Sequence, residues 1–353
     1  MSSPSPSPPP AHPSTFCSKV GNVLSTLVPI NNINAYRKTS LYHVRGKDLT
    51  GKVIIVTGAA GALGKSMTQA LSSAGATVIA CDLSLDALEI VKADILKEKK
   101  GDGTVKQGPI ECMPFNLGDY DSIAAFVQEF KAKFNKVDVL INNAAMSPSL
   151  SGYKEGKYGL EITFQVNLVG TIVLTESILP LLADDGRVVS VSSLVHTMVK
   201  DPFEWEGVPS TAENAKGFAK EYAEAKWLLT VYCTFLAKRL AKQADLTKQT
   251  QKSIIADPGV APDSELWDHQ PMVFRMMIRT IFRFVTKRSD QAAACGTFLG
   301  AAESDGLVNG GYYHSGKLYP HMRKDTEQVE NWEKTADLLI KVLPDNLKFL
   351  IQK

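Results

Sequence analysis

Short apolar runs rich in β-branched residues alternate with longer helix-favouring stretches from residue 52 onward. Near-continuous apolar runs such as Val53-Ile54-Ile55-Val56 suit strands that are covered on both faces of a sheet. Their alternation with helical stretches predicts a parallel, doubly wound α/β sheet of the Rossmann type. The predicted strands are 52–57, 76–82, 110–116, 137–142, 187–193, 253–257 and 311–314, and the predicted helices are 62–74, 84–99, 119–134, 158–183, 214–242 and 289–302.

The same pattern divides the chain into three parts. Residues 1–47 form a leader, residues 48–323 a single nucleotide-binding catalytic domain, and residues 324–353 a C-terminal helical extension in which Trp332, Leu339 and Val342 recur at helical intervals. The leader begins Ser/Pro-rich and contains no Asp or Glu. This composition predicts a partly disordered segment, and an organelle transit peptide is the alternative.

Composition narrows the class of partner. A net charge of +2 favours neither nucleic acid nor another polyanion, and 44% hydrophobic residues with 22% charged are typical of a soluble globular protein. The five cysteines are scattered and odd in number, which indicates a reducing compartment. Metal binding would need clustered ligands, and the sequence predicts no metal site. The sequence also lacks the roughly 18 consecutive apolar residues typical of a membrane-spanning segment.

The strongest chemical signal is the pair Tyr222 and Lys226, which follows Ser193 at the end of an apolar strand. Residues four apart share one face of a helix, so the phenol and the ammonium can point at one spot. A neighbouring cation lowers the pKa of a phenol towards values useful for proton transfer. Two other pairs have this spacing but contain a glycine, namely Tyr153/Lys157 and Tyr313/Lys317, whereas residues 218–244 contain none.

A glycine-rich turn, with Gly58, Gly61 and Gly64, connects the first strand to a helix. Glycines allow backbone amides to approach a pyrophosphate, and the positive end of the following helix attracts it. Asp82 ends the second strand, where a carboxylate can bind ribose hydroxyls and repel a 2′-phosphate, so NAD is preferred to NADP. The alternatives are an ordinary tight turn and an Asp82 that caps the next helix, although Ser84 can serve as that cap.

In this order and spacing, the motifs over residues 49–319 resemble the short-chain dehydrogenase/reductase family. They are the glycine-rich turn, Asn142-Asn143-Ala144-Ala145, Asn167, Ser193, Tyr222/Lys226 and Pro258-Gly259. The resemblance implies a catalytic set of Asn167, Ser193, Tyr222 and Lys226. The cofactor-binding residues that it implies are Gly58, Gly61, Leu63, Gly64, Asp82, Asn116, Leu117, Asn143, Ala144, Tyr222, Lys226, Pro258 and Gly259.

The stretch between Ser193 and Tyr222 and the segment 309–313 are similar to the retinol-dehydrogenase branch of that family. Three departures affect what the resemblance implies. Ala62 stands where the family has glycine, Asn116 stands where an Asp commonly contacts adenine, and retinol dehydrogenases often have Arg at the position of Asp82. The resulting glycine spacing looks like that of the sugar-nucleotide-modifying branch.

The resemblance implies interconversion of an alcohol and a carbonyl by hydride transfer, with Tyr222 as acid/base. Lys226 would lower the pKa of Tyr222 and hold the nicotinamide ribose, Ser193 would bind the substrate oxygen, and Asn167 would place a water. The alternatives are a sugar-nucleotide epimerase or dehydratase and a non-catalytic NAD-binding scaffold or sensor.

Residues 260–288 are expected to form a substrate lid. Residues 271–288 carry Arg275, Arg279, Arg283 and Lys287 at four-residue intervals beside Met, Ile and Phe. A basic amphipathic helix of this kind can contact an anionic membrane peripherally. A retinoid, steroid or fatty alcohol is the expected lipophilic substrate, with His196, Phe203 and Trp205 lining its pocket. The protein is expected to be cytoplasmic or peripherally membrane-associated, and the family resemblance implies a homodimer through helices 158–183 and 214–242.

Overall fold

A computed structural model describes residues 38–98, 106–147, 153–215, 218–259, 261, 288–319 and 324–351. Eight strands form one sheet in the order β3-β2-β1-β4-β5-β6-β7-β8, parallel except for the last pair. The strands are β1 Val53–Thr57, β2 Thr77–Cys81, β3 Ile110–Cys112, β4 Val137–Asn142, β5 Leu182–Val191, β6 Lys252–Asp257, β7 Tyr312–His314 and β8 Lys317–Tyr319. The predicted doubly wound α/β fold is confirmed.

Helices cover both faces of the sheet. They are α1 Ser40–Val44, α2 Ala62–Ser73, α3 Leu85–Glu98, α4 Tyr120–Lys133, α5 Ile162–Phe164 with its continuation through Thr171–Ile178, α6 Phe218–Thr247, α7 Ser289–Ala292, α8 Ala294–Ala301 and α9 Val329–Val342. Ile55 and Leu140 belong to one buried cluster, whereas Ile54 and Val139 belong to the other. Because neighbouring strand residues point to opposite faces, the two clusters are the two sides of the sheet.

Helix α5 is interrupted by a π-helical segment, Gln165–Gly170. A π segment shifts the backbone hydrogen bonds and is frequent at functional sites. Within the described residues, Ile162–Leu181 is the one helical stretch long and apolar enough to cross a membrane, and 78% of its apolar window is buried in the protein. Helices that are apolar on every side are covered on every side in a folded domain, so burial accounts for this composition.

Several elements differ from the sequence prediction; for example, β5 begins at Leu182 and not at residue 187, and α6 runs to Thr247 and not to residue 242. Strand β3 ends at Cys112 and not at Asn116, although the N–H groups of Met113 and Phe115 still donate to the carbonyls of Ala80 and Asp82 at 3.0 and 2.9 Å. The short antiparallel β8 was not predicted. Helix α1 lies within the segment assigned to the leader, yet Val44 is buried and the Ser40 hydroxyl donates to the Asp290 carbonyl at 3.2 Å, so the packed body begins before residue 48.

A buried arginine joins β5 to the end of α8. Arg187 donates from Nε to the Leu299 carbonyl at 2.6 Å and from one terminal nitrogen to those of Gly300 and Ala302, both at 2.9 Å. The last carbonyls of a helix have no partner within it, and the guanidinium supplies one. Burial lowers the pKa of Arg187 to about 10, so the group stays charged at neutral pH.

We expect Arg187→Met to lower the free energy of unfolding by about 2–4 kcal/mol, because it leaves buried carbonyl groups without a donor. Urea denaturation measures this change. Lys133→Met, which removes a solvent-exposed pair with Glu129, is the control and should leave the free energy of unfolding close to that of the parent protein. Equal effects of the two substitutions would contradict the role assigned to Arg187.

Candidate active site

The carboxyl ends of β1, β2, β4, β5 and β6 gather the candidate residues along one edge of the sheet. Parallel strands end at the same edge, and ligands of open α/β sheets bind outside it. Residues far apart in sequence, such as Gly58 after β1 and Gly259 after β6, therefore lie on the same side of the domain. Helix α6 adds Tyr222 and Lys226.

The glycine-rich turn is shaped by close backbone contacts. Gly58 has φ +67°, and a Cβ there would lie 2.9 Å from the Ala144 Cα. A Cβ on Gly64 would overlap the Gly58 carbonyl. The turn leads into α2, whose N-cap is Gly61 and which has neither a side-chain cap nor an acidic residue in its first turn. The positive end of this twelve-residue helix is thus not neutralised by side chains, which fits a bound pyrophosphate.

Two asparagines after β4 have different partners. Asn143 donates from its amide to the carbonyls of Thr57 and Gly58, at 2.8 and 3.3 Å, and so ties β4 to the glycine-rich turn. The Thr57 hydroxyl accepts the backbone N–H groups of Asn143 and Ala144 at 3.0 and 2.9 Å. Asn142 is buried and donates to the Thr175 hydroxyl at 2.8 Å, so it connects the sheet to α5.

Asp82 lies beside the same turn. One carboxylate oxygen accepts the Ala60 N–H at 3.0 Å, and the other accepts the Leu83 N–H at 2.7 Å. The cap of α3 is supplied by Ser84, whose hydroxyl accepts the Ala87 N–H at 3.2 Å. A carboxylate has about four acceptor sites, so Asp82 retains capacity for a ligand hydroxyl.

Asn116 and Leu117 follow β3. The Asn116 side-chain carbonyl, which was expected to face an adenine, accepts the Gly118 N–H at 2.8 Å. The side chain is exposed, and its oxygen has a second lone pair for a ligand donor. Leu117 is buried.

The Ser193 and Tyr222 side chains meet at the end of β5. Burial raises the pKa of the Tyr222 phenol, the nearby Ser193 hydroxyl lowers it by less, and the Asp257 carboxylate raises it further. The net result is a phenol pKa above its ordinary value. The adjacent Ser192 hydroxyl instead lies 3.0 Å from that of Thr230 in the interior.

Lys226 is 2% exposed, and its Nζ donates to the Val191 carbonyl at 2.7 Å. Burial lowers its pKa to about 8. The Nζ atom lies 5.8 Å from the centre of the Tyr222 ring, on its face. Lys226 was expected to make the phenol more acidic, whereas burial is the largest influence on the pKa of Tyr222 and raises it.

Comparison with known proteins agrees with this arrangement. The family model for short chain dehydrogenases matches residues 52–204. Human retinol dehydrogenase 12 is 29% identical over 301 residues, covering 82% of this chain and 87% of that protein. Mouse polyprenol dehydrogenase is 29% identical over 269 residues, covering 74% and 75%. A short chain dehydrogenase from Burkholderia cenocepacia, solved in complex with NADP, superposes with a TM-score of 0.58 at 21% identity, covering 76% of this chain and 97% of that one.

Over residues 52–204 the chain matches the short chain dehydrogenases, and over most of its length it is similar to human retinol dehydrogenases 11 and 12. These relatives are dehydrogenases and reductases, and the protein is an oxidoreductase.

Asn167 lies in the π segment of this dehydrogenase, and its side chain is 1% exposed. Its amide oxygen accepts the Met146 N–H at 2.9 Å, and its amide nitrogen donates to the Met146 carbonyl at 2.8 Å. Both ends of the side chain thus fix the loop after β4. The resemblance implied that Asn167 holds a water near Lys226. Such a water would have to bond to the backbone of the π segment or to the hydrogen-bonding capacity that the Asn167 amide has left.

Sequence reasoning missed a buried polar cluster next to the catalytic region of the dehydrogenase. Asp257, 1% exposed, accepts the Tyr312 hydroxyl at 2.8 Å and the Gly259 N–H at 2.9 Å, and its Oδ2 lies 3.2 Å from Nδ1 of His314. His196 lies between this cluster and the serine, with Nδ1 2.7 Å from the Ser193 carbonyl and its ring 5.5 Å from that of Tyr312. The sequence signal that could have revealed this cluster is the acidic residue Asp257, immediately before Pro258-Gly259.

The residues expected to line the substrate pocket divide into two groups. His196 lies beside Ser193, whereas Phe203 stacks on Trp227 of α6 at 4.1 Å between ring centres, and Trp205 packs against the same ring edge-on at 6.0 Å. Phe203 and Trp205 therefore belong to the core packing of α6. Residues 260 and 262–287, which include most of the expected lid and the basic stretch 271–288, lie outside the described residues, as do residues 1–37. In the part of the chain that the structure describes, no group of three or more His, Cys, Asp or Glu could hold a metal.

Proposed function

We propose that this dehydrogenase interconverts a lipophilic alcohol and its carbonyl, with Tyr222 as the acid/base. The observation that carries the proposal is the meeting of the Ser193 hydroxyl with the Tyr222 phenol one helical turn from the buried Lys226 amine. All three lie at the same edge of the sheet as the glycine-rich turn. A dinucleotide bound along that edge would bring its nicotinamide towards this group.

The nicotinamide, when bound, supplies or accepts the hydride. Tyr222 carries the proton that moves with it. Its raised pKa keeps the phenol protonated at neutral pH, so it is ready to donate to a carbonyl oxygen during reduction. Ser193 orients the same oxygen by a hydrogen bond and stabilises the charge that develops there.

Oxidation of an alcohol needs the opposite proton movement. Tyr222 must first lose its proton, and the positive charge of an oxidised nicotinamide together with a protonated Lys226 would lower the phenol pKa. Because the starting pKa is raised, oxidation by this chain is expected to increase from neutral to alkaline pH. Reduction is expected to decline over the same range.

The proposed cofactor is NAD. Gly58, Gly61, Leu63 and Gly64 would hold the pyrophosphate, with Asn143 and Ala144 supporting the turn. Asn116 and Leu117 would face the adenine, Pro258 and Gly259 the nicotinamide side, and Lys226 its ribose. Support for NAD comes from the Asp82 carboxylate beside Ala60, because a negative charge there disfavours a 2′-phosphate.

The proposed substrate class is a long apolar alcohol or aldehyde. Two relatives, the retinol dehydrogenase and the polyprenol dehydrogenase, are named for alcohols of this kind. Substrates of this class partition into membranes, so we assign peripheral membrane contact to the basic stretch 271–288.

The test is turnover of a panel of retinoid, steroid, polyprenol and fatty alcohols and aldehydes with NAD(H) and NADP(H). Tyr222→Phe should reduce turnover by about 10²–10⁴-fold, because it removes the acid/base group. Tyr153→Phe is the matched control, since Tyr153 also precedes a lysine by four positions, and it should leave turnover unchanged.

Equal activity of Tyr222→Phe and the parent protein would rule out the proposed role of Tyr222. Activity only on nucleotide sugars, without net NADH formation, would replace the substrate class. Binding of NAD without turnover of any compound in the panel would favour a scaffold.

We expect Asp82→Asn to reduce the preference for NAD over NADP by about 10–100-fold in kcat/KM, because it removes a charged hydrogen-bond acceptor from the ribose site and keeps an acceptor for Ala60. Steady-state kinetics with both cofactors measure the ratio. Asp86→Asn, in the first turn of α3, is the control and should keep the parent ratio. An unchanged ratio in Asp82→Asn would remove the basis for choosing NAD.

A further inference from the structure

We infer that the C-terminal extension, residues 324–351, covers helices α5 and α6 in place of a second subunit. The family resemblance implied a homodimer built on these two helices. In this chain the same surface packs against the extension, so a dimer of that kind is blocked. The inference is independent of the proposed reaction.

Aromatic stacking fixes the extension to α6. The Trp332 ring of α9 lies 4.2 Å from the Phe235 ring, with an angle of 11° between their planes, and 6.1 Å from the Tyr232 ring. Just before α9, the Glu327 carbonyl accepts a hydrogen bond from Lys238 Nζ at 2.6 Å. Stacked aromatic pairs are stabilising beyond the area that they bury.

Apolar burial extends this contact to the end of the chain. Leu339 is 0% exposed, and Leu343, Leu350 and Ile351 are buried in the same core cluster as the side chains of α5 and α6. The last turn, Asp345–Leu350, packs against the Thr171–Ile178 part of α5. The extension is therefore part of the core on this side of the sheet.

The composition of α5 explains why such a cover is needed. Ile162–Leu181 is apolar enough to resemble a membrane span, so its outer side cannot face water without cost. A helix pair from a second copy would cover these helices by association, whereas within one chain the last turn packs on α5 and α9 packs on α6. The tethered segment has an effective concentration on the order of millimolar, which a second copy rarely matches.

A stable dimer interface buries about 800 Å² on each partner. Trp332 and Leu339 are buried on this side of the sheet, so the surface that they cover is closed to a second copy. An open groove does remain at the far ends of these helices, where Leu179, Leu182 and Leu240 lie beside the ion pair of Arg239 with Glu176 at 2.7 Å. This groove has a mixed lining, and it is the part of the two helices that the extension leaves open.

The test measures mass and hydrogen exchange of the full chain from low to high micromolar concentration. We expect a monomer of 38.4 kDa by sedimentation equilibrium. A dimer that leaves exchange in α5 and α6 unchanged with concentration would also support the inference, because its interface lies elsewhere. A dimer in which α6 becomes more protected as concentration rises would overturn it.

Trp332→Ala is the variant that loosens the cover, and its self-association should strengthen by about tenfold or more as the face becomes available. Val329→Asp is the matched control, because Val329 lies on the same helix and is 56% exposed. Should Trp332→Ala fail to fold, Phe235→Leu keeps an apolar side chain and removes only the stacking. If the folded variant shows neither stronger self-association nor faster hydrogen exchange in α6, the inference is overturned.

Discussion

An amine buried without a carboxylate partner is the constraint on which the account of this site depends. Among the described residues, Lys226 makes no ion pair, and its one hydrogen bond runs to the Val191 carbonyl. Desolvation without a compensating charge is expensive, so the amine becomes easier to deprotonate, and its pKa falls to about 8. The same dry surroundings raise the pKa of Tyr222. In the proposed function, the positive charge of an oxidised nicotinamide would have to lower the phenol pKa before Tyr222 could lose its proton near neutral pH.

The sheet makes this arrangement possible by bringing distant segments to one edge. Thr57, Asn143, Ser193 and Asp257 lie at or just after the ends of four adjacent strands. Hydrogen bonds of Thr57 and Asn143 join β1 to the loop after β4, and Asp257 accepts the Tyr312 hydroxyl of β7. The glycine-rich turn approaches the loop after β4 so closely that Gly58 has no room for a side chain. Rigid elements of this kind hold reacting groups within the small tolerances that catalysis needs.

Local patterns predicted most of the fold. The apolar runs identified seven of the eight strands, because buried parallel strands have a compositional signature that needs no knowledge of their neighbours. The errors occurred where a neighbour decides the outcome. Strand β3 is shorter than its apolar run predicted, and β8 exists because it pairs with β7.

The same distinction holds for the site. Tyr222, Lys226 and the glycine-rich turn were found from spacing. Spacing could not show that the Asn167 amide is bound to Met146, or that Asp257 contacts Tyr312, since these contacts join residues 21 and 55 positions apart. The effect of Lys226 on the pKa of the phenol also differs from the expectation. A four-residue spacing shows that two side chains share one face of a helix, but it does not show whether water surrounds them.

The most direct test of the central claim is the protonation of Lys226 itself. In the full chain labelled with ¹⁵N-lysine and free of cofactor, NMR titration should show one Nζ signal with a midpoint near pH 8, absent from Lys226→Met. The amine would then be mostly charged below that pH and mostly neutral above it. A midpoint at the ordinary lysine value of about 10.4 would contradict the account, because it would mean that the amine is solvated or paired with a charge.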